Sequence, residues 1–218
     1  MYSTKIISIE GNIGSGKSTI VEYLKQHLQH DGTICFLQEP VDIWNTITDK
    51  NQNTIIENYY KDQKKYAFPF QMMAYISRIS LLREALKKNY KLIITERCIF
   101  TDANVFAKML YDEGKIEEIE YKIYNQWFNE FIKDIPKISL VYVKTCPEIC
   151  YSRVLIRNRI GETIPIEYLK QCHEYHENWI DNNTDCLNIL TLDGNKEMSN
   201  EVKKENIKKI NEYSMLCY

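Results

Sequence analysis

One segment near the amino terminus restricts the possible folds of this sequence more than any other. Residues 11–18 read Gly-Asn-Ile-Gly-Ser-Gly-Lys-Ser and match the phosphate-binding loop G-x-x-x-x-G-K-[ST] at every fixed position. The apolar run 5–10 before the loop indicates a strand, and the amphipathic pattern 17–30 after it indicates a helix. The motif binds phosphate in this strand–loop–helix context. The segment therefore predicts a nucleotide-binding protein.

The residue types of the loop suit a polyphosphate chain. Its glycines let successive backbone N–H groups point at one anion, and the amino terminus of the following helix adds partial positive charge. Lys17 can reach the β- and γ-phosphates of a nucleotide, and the Ser18 hydroxyl is a suitable ligand for Mg²⁺. The residues expected to bind the nucleotide through this loop are Gly11, Asn12, Ile13, Gly14, Ser15, Gly16, Lys17 and Ser18.

Short apolar runs alternate with longer amphipathic stretches along the whole chain. Such alternation favours parallel strands with helices on both faces of the sheet. We therefore expect an α/β fold with a doubly wound, five-stranded parallel sheet, forming one domain over 1–218 and binding ligands at the carboxyl ends of its strands. The predicted strands are 5–10, 33–38, 92–95, 139–143 and 187–191. The predicted helices are 17–30, 68–88, 101–111, 116–133, 147–157, 165–181 and 201–213, with a further helix and loops in the tyrosine-rich segment 50–65.

The composition narrows the choice of partners and location. A net charge of −2 and a pI near 6.1, with acids and bases interleaved, argue against a surface that binds nucleic acid. The longest apolar runs are far shorter than a membrane span. The seven cysteines lack the spacing of a disulfide framework, and the amino terminus lacks the order of a signal peptide. We expect no nucleic acid or membrane partner, and a cytoplasmic location.

Other classes of protein with the same loop fit the sequence less well. A regulatory GTPase would carry an N-K-x-D motif and a D-x-x-G switch, and neither occurs. A motor or helicase ATPase would usually have a strand ending in Asp, whereas the third predicted strand leads into Glu96-Arg97. Glu39 follows the second strand, where a carboxylate can accept the proton of an attacking hydroxyl. These features favour a kinase that acts on a small molecule.

Further motifs, taken in their order, resemble those of the deoxyribonucleoside kinase family. Besides the loop they are Glu39-Pro40-Val41 with Trp44, Phe70-Gln71, Ser77-Arg78, Glu96-Arg97, three arginines (Arg153, Arg157 and Arg159), and Ile-Pro-Ile-Glu-Tyr-Leu at 164–169. The resemblance extends from about Ile6 to Leu192. It implies a P-loop kinase with an arginine-bearing lid. Such an enzyme transfers the γ-phosphate of ATP, with Mg²⁺, to the 5′-hydroxyl of a deoxyribonucleoside in nucleotide salvage.

The resemblance implies roles for the reacting groups. Glu39 matches the carboxylate beside the 5′-hydroxyl, and Glu96 matches a glutamate associated with magnesium that is itself sometimes assigned as the proton acceptor. The choice between the two as proton acceptor stays open. Arg97 matches an arginine that binds the acceptor end and the phosphate. The implied catalytic set is Glu39, Glu96, Arg97 and Lys17, and the implied magnesium ligands are Ser18 and Glu96.

The same resemblance implies a nucleoside pocket and a lid. Tyr60 and Glu167 match the pair that bonds the sugar 3′-hydroxyl, and Gln71 matches the amide that bonds the base. The implied apolar walls of the pocket are Trp44, Phe70 and Phe106. The implied lid, about 153–164, carries the arginines that close on ATP, which are Arg153, Arg157 and Arg159.

Three more positions face the base in this family, and here they are Ala74, Arg78 and Asp102. They match the deoxycytidine and deoxyguanosine type, because thymidine-preferring members carry apolar residues at the last two. Cytosine and adenine present an exocyclic amino donor where thymine presents an oxygen acceptor, so Asp102 should favour the former. Arg78 can keep that carboxylate charged or donate to guanine O6. The choice among deoxycytidine, deoxyadenosine and deoxyguanosine stays open.

Two other functions share part of this pattern. A nucleoside monophosphate kinase of the thymidylate type also has the loop, an acid–proline turn and an acid–arginine strand end. However, Gln38 stands where an extra arginine would bind the acceptor's own phosphate. A nucleotide-sensing protein without turnover would share the loop. An assay of ATP consumption with deoxynucleosides and with their monophosphates separates the three.

The segment 116–133 bears on assembly. It carries more aromatic surface than one helix face can easily bury, in Tyr121, Tyr124, Trp127, Phe128 and Phe131. A helix buried in the core is one explanation. Members of the resembled family pair through helices, and this favours the second explanation, a homodimer.

Overall fold

A computed structural model of the protein describes residues 4–28, 31–159 and 162–216. Its centre is a five-stranded, all-parallel sheet in the order β2-β3-β1-β4-β5. The strands are β1 (Lys5–Glu10), β2 (Ile34–Leu37), β3 (Leu92–Glu96), β4 (Ile138–Lys144) and β5 (Ile189–Asp193). The predicted α/β class and five-stranded parallel sheet are confirmed, although β5 lies two residues later than predicted.

Helices connect the strands and cover both faces of the sheet. They are α1 (Lys17–Leu28), α2 (Val41–Asn45), α3 (Ile55–Lys61), α4 (Gln63–Leu86), α5 (Ile99–Thr101), α6 (Lys108–Asp112), α7 (Glu118–Phe131), α8 (Pro147–Arg157), α9 (Ile166–Asp181) and α10 (Asn200–Leu216). A π-helix, Asp102–Ala107, joins α5 to α6, and a 3₁₀ turn, Ile132–Asp134, follows α7. The predicted helix 17–30 is confirmed as far as Leu28, and its last two residues lie outside the described ranges.

The alternation of side chains along β1 divides the core between the two faces of the sheet. Ile7 and Ile9 pack on the side of α1 and α10, with residues such as Ile20. Ile6 packs on the side of α4 and α7, with residues such as Tyr75. Because successive side chains of a strand point to opposite faces, Ser8 and Glu10 share the face of Ile6. Polar side chains of β1 are therefore directed to the side of α4 and α5.

The helix α4 begins at Gln63, five residues before the predicted start, and continues through Pro69. The prediction placed the start at Phe68, directly before Pro69. The observed start is stabilised by Asp62, whose side chain accepts a hydrogen bond from the backbone N–H of Lys65 at 3.1 Å. The helix predicted within 50–65 is α3, which begins with a capping box.

Within the described ranges, no helix combines the length and the apolar character needed to cross a membrane. The six cysteines in those ranges carry free thiols.

Candidate active site

A cavity of about 340 Å³ opens at the carboxyl ends of β1, β2 and β3. It brings together the loop and the residues predicted to bind the nucleoside. The predicted nucleoside-binding residues in its lining are Glu39, Trp44, Tyr60, Phe70, Gln71, Ala74, Arg78, Arg97, Asp102 and Phe106. The predicted nucleotide-binding, magnesium and lid residues in its lining are Ile13, Gly14, Gly16, Lys17, Ser18, Glu96, Arg153, Arg157 and Arg159. The other loop residues, Gly11, Asn12 and Ser15, are buried.

The backbone of the loop requires glycine at three positions. Gly11, Gly14 and Gly16 adopt φ angles of +138°, +80° and +102°, which side-chain-bearing residues rarely adopt. A Cβ atom on Gly14 would lie 2.5 Å from the carbonyl oxygen of Cys150. The loop is also tied to α9, because the Asn12 side-chain amide donates to the carbonyl of Leu169 at 2.7 Å. These contacts place the loop against α8 and α9.

Lys17 is buried within the phosphate-binding loop. Its Nζ donates to the carbonyl oxygen of Asn12 at 2.6 Å and lies 3.5 Å from the Ser15 hydroxyl. Burial and the nearby Arg97 lower the pKa of Lys17 to about 7. A polyphosphate entering the cavity would supply the negative charge that this ammonium group lacks among its direct contacts.

Ser18 and Glu96 form the pair of oxygen ligands that the sequence predicted for magnesium. The Ser18 hydroxyl donates to Glu96 Oε1 at 2.6 Å, although the two residues are 78 positions apart in the chain. Mg²⁺ prefers oxygen ligands and is commonly bound by one or two protein groups together with phosphate oxygens and water. One hydroxyl and one carboxylate at the mouth of the loop fit this mode of binding. Mg²⁺ bound there would neutralise charge on the phosphates.

Glu39 also lines the cavity and lies between two arginines. Its Oε1 accepts hydrogen bonds from Arg97 at 2.8 Å and from Arg78 at 3.3 Å. Burial alone would raise the pKa of Glu39, but Arg97, Arg78 and Lys17 lower it to about 2. Glu39 is therefore ionised at neutral pH, and both arginines contact its carboxylate through Oε1.

Arg97 combines an unusual backbone conformation with a side chain that lines the cavity. Its φ angle is +59°, in the left-handed region. Its backbone N–H donates to the carbonyl of Ile9 at 3.0 Å, which ties the end of β3 to β1. The guanidinium group contacts Glu39, donates to the carbonyl of Gly11 at 3.4 Å, and lies 5.2 Å from the ring centre of Phe106. The positive charge is thus placed between the loop and Glu39.

Arg78 and Asp102 form a buried ion pair at 2.9 Å. Their residues are 7% and 2% exposed, so both charges depend on protein contacts rather than on water. Burial raises the pKa of Asp102 to about 6, against the opposing effect of Arg78. Arg78 also donates to the backbone carbonyl of Glu96 at 2.8 Å, besides its contact with Glu39. The pair that was predicted to face the base is therefore connected to the predicted catalytic residues.

Aromatic residues form the walls of the same end of the cavity. Trp44 and Phe70 pack edge to face with ring centres 5.5 Å apart, and the Trp44 indole donates to Ser77 at 2.9 Å. Gln71 is 3% exposed, and its Oε1 has no hydrogen-bond partner among the described residues. A buried amide with an unused acceptor suits a ligand that brings its own donor.

The lid arginines have different surroundings. Arg153 donates to the backbone carbonyls of Ser15 and Gly194 at 3.2 Å and 2.9 Å, so it connects the loop to the chain after β5. Arg157 pairs with Glu162 at 2.5 Å. The lid itself, about 153–164, stays a prediction, and its residues 160 and 161 lie outside the described ranges.

The structure separates Glu167 from the other predicted site residues. Glu167 is exposed in the first turn of α9 and does not line the cavity, whereas Glu162 does. Glu162 and five other lining residues were not assigned roles from the sequence. The five are Thr19, Val41, Ile56, Tyr59 and Tyr168. The only sequence signal for Glu162 was its position in the predicted lid.

These groups together define a P-loop kinase site. The chain belongs to the deoxynucleoside kinase family, whose family model matches residues 7–215. It is 36% identical to a probable deoxycytidine kinase of fowlpox virus (strain NVSL), over 92% of this chain and 83% of that protein. It is 32% identical to human deoxycytidine kinase, over 96% of this chain and 90% of that protein. The predicted family, fold and enzyme class, a deoxyribonucleoside kinase, are confirmed.

Proposed function

We propose that this enzyme transfers the γ-phosphate of ATP to the 5′-hydroxyl of deoxycytidine or a purine deoxynucleoside, in preference to thymidine, for nucleotide salvage. The buried Arg78–Asp102 pair carries this proposal. Cytosine and adenine offer an amino group to a carboxylate, whereas thymine offers an oxygen that a carboxylate repels. With a pKa of about 6, Asp102 is mainly ionised at neutral pH and acts as an acceptor. The relatives named deoxycytidine kinase support the same preference.

The proposed transfer needs positive charge around the phosphates and a proton acceptor at the nucleoside. Lys17 and Arg97 provide the charge, and Ser18 with Glu96 would bind Mg²⁺ at the mouth of the loop. Glu39 is the proposed proton acceptor, because Arg97 and Arg78 orient its carboxylate within the cavity. Arg153, Arg157 and Arg159 are proposed to bind ATP from the lid.

Consumption of ATP by the purified protein, with Mg²⁺ and each of the four deoxynucleosides or their monophosphates, tests the proposed function. We expect turnover with deoxycytidine or a purine deoxynucleoside, and the least turnover with thymidine. Turnover with monophosphates alone would instead identify a nucleoside monophosphate kinase. Binding of ATP without turnover of any acceptor would identify a nucleotide sensor.

We propose that Glu162, rather than Glu167, acts with Tyr60 on the sugar 3′-hydroxyl, because Glu162 and Tyr60 line the cavity and Glu167 does not. A hydrogen bond to a charged group contributes about 1.5–3 kcal/mol, so Glu162→Gln should raise KM for the deoxynucleoside roughly tenfold or more. Glu167→Gln, the matched control, should leave KM nearly unchanged.

A nucleoside that lacks the 3′-hydroxyl separates this role of Glu162 from its contact with Arg157. The variant and the parent enzyme should use that nucleoside with similar KM values. An equal loss of binding for both nucleosides would contradict the assignment, and a loss in Glu167→Gln alone would restore the original prediction.

We propose that the enzyme is a homodimer that pairs through α7. Ile119, Ile123 and Trp127 are 72%, 41% and 47% exposed, and their spacing of four residues places them on one face of the helix. Tyr124, in contrast, is fully buried, so the aromatic content of α7 is divided between the core and this exposed stripe.

We further propose, from the sequence, that residues 1–218 form one domain and that the enzyme is cytoplasmic.

Light scattering at micromolar concentration should give a particle of twice the 26.0 kDa chain mass. Ile123→Glu should dissociate it, because a charge would be buried in the apolar contact. Leu187→Glu, at an exposed leucine outside α7, is the matched control and should remain dimeric. A 26.0 kDa particle for the parent protein would contradict the proposal.

A further inference from the structure

Glu10, the last residue of β1, is fully buried and has no role in the site described so far. Its carboxylate accepts three hydrogen bonds from described residues. Oε1 accepts from the Ser8 hydroxyl at 2.5 Å and from the backbone N–H of Cys98 at 2.8 Å, and Oε2 accepts from the Thr101 hydroxyl at 2.5 Å. A buried carboxylate is costly unless its oxygens are bonded in this way. All three bonds lie on the face of the sheet that carries α4 and α5.

The bond to Cys98 fixes the backbone next to Arg97. The peptide N–H of Arg97 is bonded to Ile9, and the following N–H, of Cys98, is bonded to the side chain of Glu10. Two adjacent residues of β1 therefore fix the turn in which Arg97 adopts its φ angle of +59°. A left-handed backbone conformation at a residue other than glycine persists only where the surrounding contacts determine it.

The bond to Thr101 fixes a second group of the site. Thr101 is fully buried and directly precedes Asp102, at the junction of α5 and the π-helix. One carboxylate thus contacts the residue after Arg97 and the residue before Asp102. Glu10 is itself followed by Gly11, the first residue of the loop.

The charge of Glu10 also contributes to the balance of the site. Burial alone would lower the pKa of Arg97, but Glu39, Glu96 and Glu10 raise it above its usual value. Arg78 and Lys17 lie within the electrostatic influence of Glu10 as well. Removing this charge would leave three buried cations with less compensation.

We infer that Glu10 is a positioning residue for phosphate transfer, which sets Arg97 toward Glu39 through Cys98 and sets Asp102 toward the base through Thr101. This inference rests on the proposed function of the site. In Glu10→Gln the amide oxygen can still accept from Cys98, but the NH2 group then faces Thr101, whose hydroxyl must turn to accept instead of donate. The variant also removes the negative charge that compensates Arg97. The reversed bond and the lost charge together would let the two groups move.

The test compares Glu10→Gln with Ser8→Ala, Thr101→Val and Thr101→Ser, each assayed for kcat and for KM of both substrates. Glu10→Gln should lower kcat about 10-fold to 100-fold, the loss expected from a displacement on the order of 1 Å, with KM for ATP changed much less. Thr101→Val should mainly raise KM for the deoxynucleoside, and Thr101→Ser, which retains the hydroxyl, should restore it. Ser8→Ala removes a bond to the same carboxylate without touching either group and should keep the parental kcat.

A thermal unfolding midpoint and a titration of active sites, measured for each variant, separate positioning from folding. Glu10→Gln with a lower midpoint but an unchanged kcat per active site would overturn the inference. If that variant does not fold, an unchanged KM for the deoxynucleoside in Thr101→Val would overturn it instead. The parent enzyme is assayed first. If it phosphorylates no deoxynucleoside, the proposed function is contradicted, and this result is distinct from any difference between the variants.

Discussion

Glu39→Gln should slow phosphate transfer by roughly 10²- to 10⁴-fold, the usual loss when a general base is removed, while ATP and the deoxynucleoside still bind. The amide keeps the size of the side chain, so the packing around it should persist. It removes the negative charge that Arg97 and Arg78 orient and the oxygen that would accept the hydroxyl proton. The measurement is kcat, together with dissociation constants for both substrates from a direct binding assay.

Glu96→Gln gives a contrasting result for the neighbouring acid. Since Glu96 accepts from Ser18, this variant should change the dependence of the rate on magnesium concentration. Glu84→Gln, at an exposed residue of α4, controls for the loss of a carboxylate elsewhere. Normal turnover in Glu39→Gln, with loss of activity at every magnesium concentration in Glu96→Gln, would make Glu96 the proton acceptor.

Asp102→Ala should damage the binding of every deoxynucleoside. It leaves the buried guanidinium of Arg78 without its closest carboxylate, and breaking a buried pair in this way costs about 3–5 kcal/mol. The contact of Arg78 with Glu39 remains but is longer, at 3.3 Å, and replaces only part of the lost charge. The loss should therefore appear with thymidine as well as with deoxycytidine, as measured by kcat/KM.

The double variant, Arg78→Met with Asp102→Ala, should shift the preference toward thymidine. It removes both charges together, so neither is stranded, and it presents apolar surface to the methyl group of thymine. Because Arg78 also contacts Glu39 and the carbonyl of Glu96, the double variant should be slower with every nucleoside. The ratio of kcat/KM between thymidine and deoxycytidine is thus the informative quantity. A parent enzyme that prefers thymidine, or a double variant with unchanged ratios, would contradict the placement of this pair at the base.

Local patterns in the sequence predicted the elements whose ends are marked by local chemistry. The bounds of β1 and α8 agree with the prediction, because glycine follows β1 and proline begins α8. The motifs also predicted most of the cavity lining. The loop and the acids and arginines at the strand ends lie at the carboxyl edge of the parallel sheet. In this topology that edge is where ligands bind.

The remaining features depend on contacts that sequence patterns do not encode. The region 101–111 was correctly predicted to be helical, but its π-helix, Asp102–Ala107, depends on how the chain packs after β3. Asn158 ends α8 with a φ angle of +44°, and the side chain of Glu162 pairs with Arg157 in the last turn of that helix. A motif that contained Glu167 five residues later could not show which of the two acids enters the cavity.

The strand order has a consequence for how tolerant each strand is of change. Along the carboxyl edge, Glu39 follows β2, the Glu96–Arg97 pair ends β3, and the loop follows β1, in that spatial order. Neighbouring strands lie about 4.8 Å apart, so the row spans roughly 10 Å. β3 is the middle member and is paired with both of the others. A slip of one residue in β3 would shift Glu96 and Arg97 relative to both the phosphate-binding loop and Glu39. A slip in β2 would shift only Glu39.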